Sequence, residues 1–321
     1  MTTDMQDRLW APLLTHYREA GGTIRPDSER MRAHVGALWP AVSQFLLAGS
    51  TGDGWDMDDI MLREIVMLSA SDVFADSRIL VGAFGRSTPD VVRRAILIEK
   101  AIAARPAGGG DFRGLAICPP VDAAADQEAI LAHYDAVLRA TRCPIAVYEL
   151  PQLTLCSITP ETMRILAAEP RITMFKDTSG VDRIIEGGIP GVVSVRGAEG
   201  DFLDALDRLG YDGLLLSTAN IFAWPLRRML GHRDAGRKEE AAAISALLAM
   251  TVSALFDVVA PLCFGNVFSN VNRAGDHLLA HGSRWREASL PLTISGRPIP
   301  MTTLEQVSDR LLLNNDANGY L

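Results

Sequence analysis

Short apolar runs rich in β-branched residues recur along the chain, and between them lie longer stretches whose apolar positions follow a helical period. The runs fall at residues 12–15, 44–48, 79–83, 114–118, 145–149, 172–176, 193–196 and 213–217. Their spacing, roughly 20 to 35 residues, leaves room for a crossover helix between parallel strands each time. In residues 126–141, Ile130, Tyr134, Val137 and Leu138 share one helical face, flanked by Ala129 and Leu131. Thr88-Pro89-Asp90 and Thr159-Pro160-Glu161 read as N-caps followed by proline at the first helical position. Eight such units predict the α/β class and a closed (β/α)8 TIM barrel rather than an open doubly wound sheet. No G-x-G-x-x-G follows the first strand, which removes the usual dinucleotide signal, and Gly108-Gly109-Gly110 precedes a strand and reads as a turn.

Beyond about residue 222 the pattern is helical only. Residues 238–257, rich in alanine and leucine, predict a long helix; a less regular stretch, a loop at 290–300 and a last helix near 303–313 follow. The expected organisation is a catalytic barrel over residues 1–222 and a C-terminal helical extension, 223–321, packed on it. This tail is expected to serve packing or oligomer formation rather than catalysis.

Composition narrows the function classes. With 321 residues and 48% hydrophobic content the chain can bury a large core. A net charge of −8 without a basic cluster argues against nucleic acid and for a small-molecule partner. Cys118, Cys143, Cys156 and Cys263 are scattered, with no metal-like spacing to histidine, so neither a disulfide nor a zinc site is expected. The polar N-terminus and the lack of an apolar run of spanning length predict a cytoplasmic protein without membrane contact.

Candidate chemistry centres on Lys176, at the end of the sixth run, Arg171-Ile-Thr-Met-Phe-Lys176. A lysine buried there without a partner costs several kcal/mol or gives up its proton, and a neutral amine in a dry pocket attacks carbonyl carbon. The bland alternative is a strand-edge lysine reaching water along its own methylenes. Tyr148 ends the fifth run, 28 residues earlier, so one βα repeat sets the two side by side. It reads as a proton carrier or as a phenol packed in the barrel mouth. Ala48-Gly-Ser-Thr-Gly-Asp53 after the second run reads as a backbone nest for a carboxylate. An amine, a phenol and such a nest together suit Schiff-base chemistry on a 2-oxo acid, with the imine as electron sink and no metal or organic cofactor.

These motifs resemble the dihydrodipicolinate synthase and N-acetylneuraminate lyase family, pyruvate-dependent class I aldolases on a (β/α)8 barrel, over about residues 10 to 225. Gly49-Ser-Thr-Gly-Asp53 is similar to the family's Gly-Thr/Ser-Thr-Gly-Glu loop, Tyr148-x-x-Pro151 to its tyrosine motif, and Phe175-Lys-Asp-Thr-Ser-Gly180 to its Schiff-base strand. The resemblance implies Lys176 as the imine former, Tyr148 as acid/base, and Gly49, Ser50 and Thr51 at the substrate carboxylate, with Ser50 passing the proton. Gly197 and Leu215 match positions lining the same pocket, and a homo-oligomer, tetramer or dimer, is implied.

Two departures bear on the substrate. Dihydrodipicolinate synthases carry an arginine two residues after the Tyr-x-x-Pro proline, where this chain has Leu153, and a second tyrosine lent across a dimer interface, whose place Val121 takes. Glu199, Ser217 and Thr178 are candidates to bind substrate hydroxyls, and each also reads as a cap or turn former. The expected function is therefore a class I lyase or dehydratase on a 2-oxo acid, with a 2-oxo-3-deoxy sugar acid as the leading substrate class and pyruvate as product or donor. The alternatives are 4-hydroxy-tetrahydrodipicolinate synthase and a non-catalytic barrel that binds a 2-oxo acid.

Overall fold

The structure, a computed structural model, describes residues 7–185 and 188–318, with side chains as far as residue 311. The strands are β1 (Leu9–Pro12), β2 (Tyr17–Ala20), β3 (Thr23–Pro26), β4 (Gln44–Leu47), β5 (Arg78–Gly82), β6 (Asp111–Ile117), β7 (Ile145–Glu149), β8 (Ile172–Asp177), β9 (Val193–Arg196) and β10 (Gly213–Leu215). All but β2 and β3 are parallel and close a barrel in the order β1-β10-β9-β8-β7-β6-β5-β4. The helices around it are α1 (Ser28–Leu38), α2 (Asp59–Leu68), α3 (Thr88–Ala104), α4 (Gln127–Ala140), the short α5 (Pro151–Thr154), α6 (Pro160–Ala167), the single turn α7 (Phe202–Asp204) and α8 (Ala219–Asp234). Three more follow: α9 (Lys238–Val259), α10 (Val267–His281) and α11 (Met301–Asn318). The expected TIM barrel with a C-terminal helical extension is what the chain forms.

Period-two alternation along the strands divides the core in two. Leu46, Leu80, Ala116, Ala146, Met174, Val195 and Leu215 point inward and fill the barrel with Trp10. Phe45, Ile79, Leu115, Ile145, Phe175 and Leu214 point outward and meet the helices. Lys176 is two residues from Met174 and so shares its inward phase.

Several boundaries differ from the sequence reading for local reasons. The first strand is Leu9–Pro12 instead of 12–15: Leu13, Leu14 and Thr15 are buried, but they lie past the ladder. Polar β2 and β3, which form an antiparallel hairpin around Gly21-Gly22, carry no apolar alternation to reveal them. Ser87, not Thr88, caps α3 by accepting the Asp90 N–H, which puts Pro89 at the second helical position, whereas Thr159 caps α6 as expected; Asp126 caps α4. Between β8 and β9 the described residues form turns only. Position 222 falls within α8, at the one residue there with non-helical dihedrals.

The C-terminal region also departs from expectation. α10 occupies the stretch expected to be irregular. α9 is, by length and composition, apolar enough to cross a membrane, contrary to the sequence reading. It buries Ala241, Ile244, Leu248, Val252, Leu255 and Val259 at helical spacing, the stripe of a helix docked on a protein core.

Candidate active site

Strand register sets Tyr148 directly beside Lys176, and Lys176 beside Val195. Both side chains are buried, and Lys176 Nζ lies 3.8 Å from the centre of the Tyr148 ring, a cation–π contact. Among the described residues no carboxylate forms a salt bridge with Lys176. Gly197 leaves room for the lysine stem. A Cβ built there would stand 2.6 Å from Lys176 Cε and 2.6 Å from Thr178 Oγ1, so no larger residue fits without displacing the amine.

The strand that carries the lysine runs into a loop fixed from outside the barrel. Asp177, on the outward phase, accepts the Ser179 N–H at 2.8 Å and lies 2.9 Å from the Tyr211 hydroxyl. Asp182 takes up Arg196 at 3.1 Å and stands 2.7 Å from the same phenol. Burial, then the neighbouring Asp177 carboxylate, pushes the Tyr211 phenol up, so it stays a neutral donor between two acids.

The loop 48–54 after β4 is a closed turn, with the Gly54 N–H on the Gly49 carbonyl at 2.9 Å and the Asp53 N–H on the Ser50 carbonyl at 3.1 Å. A Cβ on Gly54 would collide with the Ala48 carbonyl oxygen at 1.8 Å, so the turn demands glycine there. Trp55 Nε1 donates to Ser50 Oγ at 3.1 Å, its ring stacks on Phe84 at 4.9 Å, and Phe84 meets the Tyr148 ring at 5.8 Å. Ser50 is thus tied to the Lys176 and Tyr148 pair through two aromatic rings.

The loop is held from below by α10. Asn266 donates to the Ser50 carbonyl at 3.1 Å, Ser269 to the Thr51 carbonyl at 2.9 Å, and Arg273 to Asp53 Oδ2 at 2.9 Å. Buried Arg94 on α3 donates to the carbonyls of Gly54 and Phe84 and so ties down both ends of the Trp55–Phe84 stack. The sequence reading missed Trp55, Phe84, Arg94, Ser269 and Arg273. It expected the tail to serve packing or oligomer formation; α10 packs against the loop itself, and Phe256 and Phe268 line the cavity.

The remaining predicted residues divide. Leu215 faces the barrel interior with Tyr148, and Thr178, Gly197 and Glu199 line a cavity of about 330 Å3 above it. Glu199 and Ser217 meet each other: Glu199 Oε1 accepts from Ser217 Oγ at 2.7 Å and from the Thr218 N–H at 3.1 Å, and its Oε2 from Thr218 Oγ1 at 2.6 Å. Burial raises the Glu199 carboxyl above its ordinary range, with those donors opposing the rise. Glu149 points away from the barrel, accepts the Ile158 N–H, and is pushed by burial to about 7. Val121 and Leu153, half-buried, pack against the interior apolar cluster that includes Tyr148, so both departures place apolar side chains there.

A second polar cluster lies behind the loop. Asp276 of α10 receives His16 Nε2 at 2.8 Å and His34 Nδ1 at 2.7 Å, and pairs with Arg30. These two histidines and the aspartate are spaced as metal ligands would be, yet both carboxylate oxygens are already engaged, one of them by a guanidinium. The arrangement is that of one ion pair, Arg30 with Asp276, inside a hydrogen-bonded network joining α1, α10 and the segment after β1.

Known proteins resemble this chain in sequence and in fold. The pattern of the dihydrodipicolinate synthetase family matches residues 46–269. A 4-hydroxy-tetrahydrodipicolinate synthase of Streptococcus uberis is 31% identical over 156 residues, 48% of this chain and 50% of that protein. One of Stenotrophomonas maltophilia strain R551-3 is 26% identical over 68% of this chain and 70% of its own. Among solved structures, YagE of E. coli K12, of the dihydrodipicolinic acid synthase family and bound to pyruvate, superposes with a TM-score of 0.78 at 18% identity, covering 96% of this chain and 98% of that one. CdNal of Clostridium difficile, bound to mannosamine, gives 0.77 at 14% identity, covering 97% and 100%.

Proposed function

The chain belongs to the dihydrodipicolinate synthetase family, and from that premise we propose that it is a Schiff-base-forming class I aldolase or lyase acting on a 2-oxo acid, with pyruvate as product or donor. The carrying observation is the Lys176 amine over the Tyr148 ring at 3.8 Å in a barrel mouth without a carboxylate partner for the lysine among the described residues. The amine adds to the ketone carbon, water leaves, and the iminium draws electrons from the bond to be cleaved or formed. Tyr148 carries the proton of carbinolamine breakdown, and Ser50, with its oxygen fixed by Trp55, shares that proton and the substrate carboxylate with Gly49 and Thr51. The covalent imine supplies the electron sink, so the scheme calls for no metal or organic cofactor. The reading includes a cytoplasmic homo-oligomer, tetramer or dimer, in which residues 1–222 are the catalytic unit and 223–321 the extension.

Within that scheme two substrate readings differ. A 2-oxo-3-deoxy sugar acid has the Thr178 hydroxyl in its favour, Glu199 and Ser217 being bonded to each other, and 4-hydroxy-tetrahydrodipicolinate synthesis has the names of the relatives. Leu153 and Val121 weigh against the second, because a substrate carboxylate there finds no guanidinium. Assay with pyruvate and aspartate semialdehyde beside cleavage of 2-oxo-3-deoxy sugar acids separates them. Whichever is turned over, Tyr148→Phe is expected to lower kcat by about a hundredfold or more. Unchanged turnover in that variant contradicts the role assigned to Tyr148, whereas no turnover of either substrate, with 2-oxo-acid binding equal in variant and parent, is what a binding barrel would give.

A further inference from the structure

The cavity that meets the Lys176 stem at Gly197 and Thr178 is poorly suited to both a carboxylate and a polyol. Its volume of about 330 Å3 is that of a small-ligand site, and its apolar walls are Leu150, Phe256 and Phe268, with the two rings edge to face at 5.0 Å. Val121 and Leu153 extend the apolar surface toward Tyr148. Among the described residues that line the cavity none is arginine or lysine. Its polar side chains are engaged with the protein: Gln152 donates to the Thr178 carbonyl at 2.7 Å, Ser179 Oγ accepts the Val181 N–H at 3.2 Å, and both Glu199 oxygens hold donors from the loop after β10. Thr178 Oγ1, buried next to the lysine stem, has no hydrogen-bond partner among the described residues.

One free hydroxyl beside the amine and an aromatic-walled space beyond it define a substrate shape. We propose that the substrate is a 4-hydroxy-2-oxo acid whose chain beyond C4 is apolar, an aryl or short alkyl group. Its C4 hydroxyl bonds Thr178 Oγ1, and its apolar end lies against Leu150, Phe256 and Phe268. This deepens the imine reading above and rests on it. The steps balance without an oxidant or reductant. Lys176 Nζ bonds to C2 and the ketone oxygen leaves as water. The C4 hydroxyl proton then passes to a base, the C3–C4 bond breaks, and its electron pair moves into the iminium. An apolar aldehyde departs, the enamine takes a proton at C3, and water hydrolyses the imine to pyruvate and the free amine. A polyol in the same place would set hydroxyls against phenyl edges with no partner, and such unpaired groups are what polar specificity penalises most.

The test is pyruvate release by the full-length protein from 4-hydroxy-2-oxobutanoates that differ only at C4, bearing phenyl, propyl, trihydroxypropyl or carboxymethyl groups. The phenyl and propyl compounds are expected to exceed the other two in kcat/KM by about a hundredfold. Leu153→Arg is expected to reverse that order toward the carboxymethyl compound, and Phe268→Ser, read if the arginine variant does not fold, to narrow the gap at least about tenfold. Equal or better turnover of the polyol or the carboxylate overturns the proposal. Pyruvate and borohydride run in parallel tell the two levels apart. Trapping at Lys176 without cleavage of either apolar compound overturns the substrate assignment alone, and no trapping overturns the imine reading and this inference with it.

Discussion

Trp55 and Gly197 set up the lysine without chemistry of their own. The indole N–H occupies one lone pair of Ser50 and leaves the serine hydrogen to be given elsewhere, while the stack on Phe84 fixes the indole. Trp55→Phe keeps the stack and removes the donor; steady-state kinetics should show kcat down about five- to tenfold, the worth of one hydrogen bond, with little change in melting temperature. Gly197→Ala places a methyl against Lys176 Cε and Thr178 Oγ1. Because misplacement of a reacting atom by a fraction of an ångström is enough, its kcat/KM should fall about a hundredfold at nearly unchanged stability. An unaltered rate in Gly197→Ala would mean that the amine does not work from where it lies. The pairing of Lys176 with Tyr148 was legible in the sequence, because equal phase at the ends of successive strands follows from spacing alone. Trp55 and Arg94 were not, since each acts through contacts between loops that no local period encodes.

Helix α10 is the element that the sequence reading lost and the site depends on. Val267, Val271, Ala274 and Leu278 keep a helical period that the sequence reading passed over, and the polar Asn270, Asn272, Arg273, Asp276 and His277 are buried around it, because the helix is enclosed on all sides from Ser269 to Leu278. By contrast, the apolar positions of α4 sit on one face and that helix was found to within a residue. Arg273 pairs with Asp53 where both side chains are at most 3% exposed. Arg273→Met leaves a buried carboxylate without its cation and should cost about 3–5 kcal/mol in urea unfolding. Adding Asp53→Asn to it should recover a good part of that loss. Failure of the double variant to recover would show that Arg273 acts through its Thr15 contact rather than through Asp53.

Across the whole molecule, stability responds to pH through groups that folding removes from water. Burial lowers His16 and His133 from 6.5 to about 4, so the unfolded chain takes up protons that the native state does not, and the stability they contribute, full above pH 6.5, is lost as pH falls toward 4. Glu149 runs the other way. Its carboxyl rises from 4.5 to about 7, so its ionisation destabilises the native state progressively from pH 4.5 to 7, by roughly 3 kcal/mol when complete. Glu149→Gln should therefore raise unfolding free energy at pH 8, leave it near the parent value at pH 4.5, and make the loss on acidification steeper; equal effects at both pH values would contradict the burial of that carboxyl. The barrel itself was legible at this scale because eight repeats at near-constant spacing admit few closures, while the apolar α9 and the polar hairpin show where composition misleads. The claim on which the rest depends is the imine, and it is tested most directly by incubating the intact protein with pyruvate and borohydride and mapping the product by mass spectrometry. A single stable pyruvate-derived adduct on Lys176, absent from Lys176→Ala, is the predicted result; folded protein with no adduct, or with the label on another lysine, would contradict it.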